Sequence, residues 1–415
     1  MKKLLGGFMS AMLLASMISG CSRKLEAEPL NCGENALFKS QNVQAATFIE
    51  ETDEEYRRAY SEFVFGIMQS CAESSGKQNI VISPDSLFFA LEMAAAGADG
   101  ENLDQMINTM VPGASNEDGF AFGVAHYNEL QNESLNIANS MWINKDSKVY
   151  EDYVTYVSNR FDADVTYTTF DDEGAGAINS WVNDKTDGMI PMIVQDLDPE
   201  ERLMLINAII FIGTWNQEYK PHMITDGTFQ SGFGTDEDCT YLNSYEKGYL
   251  HNDDCIGFIK DYNDGKYAFV AILPNDGNVD INEFMAQMTA DDYWTLWDSM
   301  DNRIVVAAIP EFKSEYSKPL IETLMQMGMT DAFGPNADFS NISVEDTYIS
   351  TVFQKAYIEV NRNGTKAAAV TAVGATQSAS TVEYEYVKLD RPFAYAIVDK
   401  DTGLPVFLGT VESVA

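Results

Sequence analysis

The sequence predicts a single domain of mixed α+β class built around large sheets. Helix-like and strand-like hydrophobic periods interleave along 415 residues with no internal repeat and no linker-like break. The run from Met204 to Ile212 is almost continuously apolar, the pattern of a central strand buried on both faces. Length alone allows two or three domains, and the missing boundary is what favours one.

The first twenty residues are set apart from this body. Lys2 and Lys3 precede an apolar run from Leu4 through Leu14 to Ile18, and Ile18-Ser19-Gly20-Cys21 follows. That order reads as a secretory signal ending in a lipobox, with Cys21 as the lipid-modified first residue of the mature chain. The apolar run is short for a membrane span. An ordinary signal peptide or an uncleaved anchor is the alternative. Residues 21–55 are polar, acidic and aperiodic, as suits a flexible tether that spans roughly 100 Å when extended.

The folded body is expected over residues 56–415. Tyr56, Tyr60, Phe63, Val64, Ile67 and Met68 fall on one helical face. Asn79 to Ile82 reads as a short strand, and Ser83-Pro84 opens a helix with its proline in the first turn, running through Leu91 and Met93 to Gly97. Leu135, Ile137, Met141 and Ile143 point to a strand. Further strands are expected at 204–212, 267–273, 304–309, 352–360, 393–398 and 405–411.

Net charge −38 excludes nucleic acid as a partner and sets the chain against anionic membrane surfaces. Any hold on lipid is then expected through the anchor on Cys21 alone. Beyond Cys21 lie Cys32, Cys71, Cys239 and Cys255, an even number that permits two disulfides in an exported protein. Cys239 and Cys255 flank what read as neighbouring strands and are the favoured pair; Cys32 with Cys71 follows by elimination. Free buried thiols are the other reading. No CxxC or zinc-like spacing occurs, and acidic runs such as Asp171-Asp172-Glu173 and Asp253-Asp254 read as solvated surface, so no metal and no cofactor are expected. His126, His222 and His251 are the three histidines, and none lies in a GxSxG, HExxH or similar motif, which argues against a hydrolase.

The stretch Glu359-Val360-Asn361-Arg362-Asn363-Gly364-Thr365-Lys366-Ala367-Ala368-Ala369-Val370-Thr371 carries the most information. Gly364 lets the chain change direction. Thr365, Ala367, Ala369 and Thr371 alternate, so in a strand they share one face. That face holds no bulky or charged group to stop it from being buried between existing strands. Taken alone, the segment reads equally as an Ala/Ser/Thr linker over 365–381 or as a stray helical turn at 366–370.

This stretch resembles the hinge of inhibitory serpins, where a motif like Glu-Glu-Gly-Thr-Glu-Ala-Ala-Ala-Ala-Thr begins the reactive-centre loop. Other segments resemble serpin signatures in the family's order. They include Ser83-Pro84-Asp85-Ser86 with Gly97-Ala98-Asp99-Gly100, Ile178-Asn179-Ser180-Trp181-Val182, and Asn207 to Trp215. Ile309-Pro310-Glu311-Phe312, Met327 to Phe333, Ala337-Asp338-Phe339-Ser340 and Asp390-Arg391-Pro392-Phe393 continue the match. Together they cover about 56–411 and identify the chain as a serpin of the bacterial lipoprotein type.

The resemblance implies one domain with three β-sheets, surrounding helices and an exposed reactive-centre loop at about 362–388. It implies a monomer that is bait rather than enzyme, trapping a serine protease as its acyl-enzyme when the cleaved loop enters the main sheet. Counting on from Gly364 puts the reactive bond at Ser378 and Ala379; counting back from Pro392 gives Thr381. The candidate zone is therefore Gln377, Ser378, Ala379, Ser380, Thr381 and Val382, all small or uncharged, which suits elastase-like or subtilisin-like enzymes with a shallow specificity pocket. The sheet-opening region is expected at Ser83, Asn207, Trp215 and Gln354. Gln354 stands where the family usually has His and can still donate and accept, so the network there is expected to survive with altered strength. Arg362 and Lys366 replace Glu at outward or peripheral places and read as tuning the loop's release, with neutral change on a solvated surface as the alternative for all three. The alternative is a non-inhibitory serpin that serves as a surface binding protein. The expected location is the envelope or outer surface of a bacterial cell.

Overall fold

The computed structural model describes residues 37–38, 54–365 and 384–415. Three sheets carry the fold. The first has the order β1-β4-β3-β5, from β1 (Leu37–Phe38), β4 (Asp164–Thr168), β3 (Leu135–Asn144) and β5 (Leu203–Phe211). The third has the order β12-β13-β14-β6, from β12 (Phe312–Pro319), β13 (Phe353–Asn361), β14 (Gly364–Thr365) and β6 (Gly213–Thr214).

The second sheet has nine strands. Its path is β15 (Tyr384–Lys388), β11 (Asp301–Pro310), β8 (Asp236–His251), β9 (Cys255–Asp261), β10 (Tyr267–Pro274), β16 (Phe393–Asp399), β17 (Pro405–Val411) and β2 (Ile80–Ile82), with β7 (Ile224–Gln230) paired to β8. Every residue of β10, β16 and β17 is buried. Their unbroken apolar sequences require a place in the middle of the sheet, covered on both sides.

Helices supply that cover. In α1 (Glu54–Ser75) the buried side chains include Tyr60, Phe63, Val64, Ile67 and Met68, the face the 3.6-residue period marks. Helix α2 (Pro84–Ala95) starts on its proline, whose missing N–H leaves nothing unsatisfied in a first turn. Helices α3 (Gly100–Met110), α4 (Asn116–Leu130) and α5 (Glu151–Phe161) follow. Helix α6 (Asp172–Lys185) begins at Asp171, whose carboxylate accepts from the backbone N–H groups of Glu173 and Gly174. It buries Ile178 and Val182 against Trp142 of β3 and Ile206 of β5, so the outer face of the first sheet is covered as well.

The favoured Cys239–Cys255 disulfide does not form. Cys239 lies near the start of β8, opposite Gly227 of β7, whereas Cys255 opens β9 beyond the far end of β8, where Tyr249 pairs with Phe258. A 16-residue strand separates the two by roughly 40 Å at 3.3 Å per residue, and a disulfide needs Cα atoms within about 7 Å. Cys71, Cys239 and Cys255 are free thiols. Cys32 and Cys21 lie outside the described residues.

Candidate functional site at the opening between β5 and β13

Strand β5 ladders to β3 on one edge and β13 ladders to β12, while on its other edge β13 pairs with β14 at Val360 and Asn361 alone among the described residues. No backbone ladder joins β5 and β13 among the described residues. They run parallel, because β14 is antiparallel both to β13 and to β6, the continuation of β5. Below β14, the facing edges of β5 and β13 carry no ladder among the described residues. A cavity of about 100 Å³ lies between Leu203–Asn207 on one side and Ile349–Gln354 on the other, over Leu87, Leu91 and Ala94 of α2.

At one end of this opening two residues already fill the space. Gly364 pairs with Asn361 and Thr214, and Thr365 with Val360 and Gly213. Gly364 has φ +145°, and a Cβ there would lie 2.0 Å from the Gly213 carbonyl oxygen. Glycine is therefore required twice over, by its backbone angle and by the close approach. Thr365 is 2% exposed, and its Oγ1 lies 2.6 Å from the Tyr262 hydroxyl. Burial holds the Tyr262 pKa well above its ordinary value, so the phenol stays neutral and able to hydrogen-bond.

Trp215 fixes the turn that precedes them. Its Nε1 donates to the Asn361 carbonyl at 2.9 Å, its backbone N–H donates to the Asn363 carbonyl at 3.3 Å, and its ring stacks on Tyr262 at 4.6 Å. Below it the buried Lys260 ammonium lies 5.2 Å from the Trp215 ring centre and pairs with Glu246 at 2.6 Å. Burial works against the Lys260 charge, but Glu246 and Tyr219 outweigh it and raise its pKa. Arg362, at the tip of the turn, lies outward and is clasped by Glu311 through two hydrogen bonds of 3.0 and 3.1 Å.

Further down the opening, Gln354 Nε2 donates to the Ser83 carbonyl at 2.5 Å, and Ser83 Oγ donates to the Val406 carbonyl at 3.0 Å. Asn207 sits on the opposite wall and turns away, donating to Asn139 Oδ1 at 2.6 Å, while Ser86 Oγ donates to its carbonyl at 3.4 Å. Of the four expected sheet-opening residues, Gln354 and Asn207 line the two sides of the cavity, Ser83 bonds to Gln354, Asn207 bonds to Asn139 of the adjoining strand β3, and Trp215 packs at the turn before Gly364. Ala367, Ala369, Thr371 and Lys366, and the whole zone from Gln377 to Val382, lie outside the described residues.

Sequence reasoning missed Tyr262, Lys260 and Glu311, which meet the hinge only through the fold. It also missed a buried polar cluster at the helix layer. Asp85 Oδ1 accepts from the Tyr60 hydroxyl at 2.5 Å and lies 2.8 Å from His126 Nε2. Glu92, two turns along α2, is fully buried with neither carboxyl oxygen hydrogen-bonded, and burial pushes its pKa up to about 8. Among the described residues no group of three or more His, Cys, Asp or Glu could hold a metal ion. No described helix is long and apolar enough to cross a membrane.

Comparison with known proteins agrees with this architecture. The sequence model of the serpin family (serine protease inhibitor) matches residues 58–414. The chain is 33% identical to iripin-3 of Ixodes ricinus over 355 residues, 82% of this chain and 90% of that protein. It is 29% identical to the leukocyte elastase inhibitor of Bos taurus over 378 residues, 87% of this chain and all of that protein. Among solved structures, the native state of the thermophilic serpin tengpin superposes with a TM-score of 0.81 at 36% identity, covering 92% of this chain and 100% of that one. The chain belongs to the serpin family, whose members are in general protease inhibitors and not catalysts.

Proposed function

We propose that this serpin is a suicide-substrate inhibitor of serine proteases with a shallow, small-residue specificity pocket, elastase-like or subtilisin-like. The protease acylates on the loop at Ser378–Ala379, within the zone from Gln377 to Val382. The freed hinge then enters the slot as an additional strand and carries the acyl-enzyme with it. The single observation that carries this reading is the slot itself, with Gly364 and Thr365 already seated at its mouth and no ladder between β5 and β13 below them among the described residues.

The register supports the rest. Continued without a bulge, it sets Ala367 between Ile358 and Phe211, Ala369 between Ala356 and Ile209, and Thr371 between Gln354 and Asn207. Those six neighbours are all buried, so the entering face must be small, and Thr371 arrives level with the side-chain amides of Gln354 and Asn207, which are bonded to Ser83 and Asn139 before insertion. Each backbone hydrogen bond gained contributes about 1 kcal/mol. In the same reading the protein is exported and held at the cell envelope by lipid on Cys21, and it acts as a monomer.

The test is a denaturing gel of the mature protein mixed separately with pancreatic elastase, a subtilisin and trypsin. A complex that survives boiling in SDS with elastase or subtilisin, and none with trypsin, is expected. Cleavage that leaves both small-pocket proteases fully active would overturn the inhibitory reading in favour of a surface binding role.

A further inference from the structure

The loop runs directly into β15, the edge strand of the nine-stranded sheet, and that corner of the sheet is unusually aromatic. Tyr245, Tyr384 and Tyr386 are 65%, 44% and 73% exposed. Val306 of β11 stands opposite both Tyr386 and Tyr245, and Ile304 stands opposite Tyr384. The rings of Tyr245 and Tyr384 meet edge to face across β11 with centres 6.1 Å apart. Three phenols therefore form a shelf over two half-buried aliphatic side chains. Soluble surfaces usually scatter such residues singly, and a contiguous group of this kind marks a contact surface.

Chain length says what reaches it. Tyr384 lies six residues beyond Ser378, so the reactive bond stays within roughly 20 Å of the shelf even if the connection is fully extended. A folded protease of about 230 residues has a radius of gyration near 17 Å. With the reactive bond in its cleft, such a body has the reach to cover surface at that distance on the loop's C-terminal side. Lys247 is exposed in the row of Ile304, and Lys388, which ends β15, pairs with Asp390 at 3.7 Å.

We infer that Tyr245, Tyr384 and Tyr386 form a docking face for the body of the target protease, which helps select the enzyme beyond what the residues at the reactive bond select. This rests on the inhibitory reading. Tyrosine suits the task, since it buries a large rigid area on contact and keeps a hydroxyl for hydrogen bonding. The face adds affinity to the first, non-covalent encounter and plays no part in the insertion that follows.

The experiment compares the parent with Tyr245→Thr/Tyr386→Thr, which keeps strand-compatible side chains at both outward positions. Binding of active-site Ser→Ala elastase and of active-site Ser→Ala subtilisin is measured in solution, and the melting temperature is the folding control. Loss of affinity of tenfold or more for at least one enzyme, with melting unchanged, is expected. A peptide spanning residues 372–383, which lacks the face, is expected to bind both enzymes more weakly than the whole protein does. Equal affinities for parent and variant, no measurable binding of either enzyme to the parent, or loss in the variant of a dimer that the free parent forms would each overturn the inference. If the inactive enzymes bind but the active ones cleave and leave, the inhibitory reading fails while the docking face stands.

Discussion

The Gln354 side-chain amide donates to the Ser83 carbonyl at 2.5 Å, tying β13 to the residue that precedes α2. Both residues are buried, so the bond lies where water cannot replace it, and removing the donor leaves the carbonyl only the long 3.5 Å bond from the Leu87 N–H, a loss of about 1 kcal/mol. Gln354→Ala is expected to lower the melting temperature of the uncleaved protein by at least about 2 °C, and Gln354→His, which retains a donor, by less. Equal melting of all three proteins by calorimetry would remove this bond from the account of how the slot is held.

Glu92 makes stability depend on pH. It packs against Gly123 of α4, where an added Cβ would lie 2.8 Å from the Glu92 carboxyl carbon and would force the carboxyl to move. Asp85 on the same helix and His126 on α4 are the titratable groups of the neighbouring cluster. Burial raises the folded pKa to about 8, above the unfolded value. The stability tied to the protonated form is therefore complete below the unfolded pKa, and it is lost as pH rises through about 8. By pH 7 the loss is on the order of 3 kcal/mol. Glu92→Gln is expected to melt higher than the parent at pH 8 by a margin that shrinks toward pH 5. A margin that does not change with pH would show that Glu92 is not protonated in the folded state at low pH.

The thiols give a covalent check. Burial, with Asp254 adding to it, pushes the Cys255 thiol up to about 12, so it is expected to resist alkylation at pH 8 until the protein is unfolded. Cys239→Ser is expected to leave both the melting temperature and the non-reducing gel mobility unchanged. A drop in melting on that substitution, reproduced by a reductant acting on the parent, would restore the disulfide.

Much of the fold was legible because its central strands have no polar face. The runs at 204–212, 267–273, 393–398 and 405–411 coincide with β5, β10, β16 and β17 to within a residue or so. Strand β12, with Phe312, Ser314, Tyr316 and Lys318 on the inward face and Lys313, Glu315 and Ser317 outward, carries too little hydrophobic contrast to declare itself. Strand β8 combines seven Asp, Glu, Lys, Gly and Asn residues between 236 and 248 with an even mix of burial, and reading the stretch as neighbouring strands rather than one long strand is what made the Cys239–Cys255 pair look close. At the site, the small face beginning at Thr365 was visible from alternation alone. Tyr262 lies 103 positions away in sequence, and only pairing of β14 with β6 brings the two together.

The anchor is tested by partition. With Cys21 directly after Ile18-Ser19-Gly20, the expressed parent is expected in the detergent phase of Triton X-114, and Cys21→Ala in the aqueous phase. A parent found in the aqueous phase would count against lipidation without touching the inhibitory mechanism.

The most direct test of that mechanism is Thr365→Arg. The Thr365 side chain is sealed against Tyr262 with its hydroxyl 2.6 Å from the phenol, and an unpaired ion in that place costs several kcal/mol. The substitution leaves the reactive bond unchanged, so elastase or subtilisin is expected to cut the variant at the same bond and at least as fast as the parent. The measurement is the number of moles of inhibitor consumed per mole of protease inactivated. The account predicts a value near one for the parent and at least tenfold higher for Thr365→Arg, with active protease released from a cleaved variant. A variant that inhibits with the parent's stoichiometry would contradict insertion through this hinge.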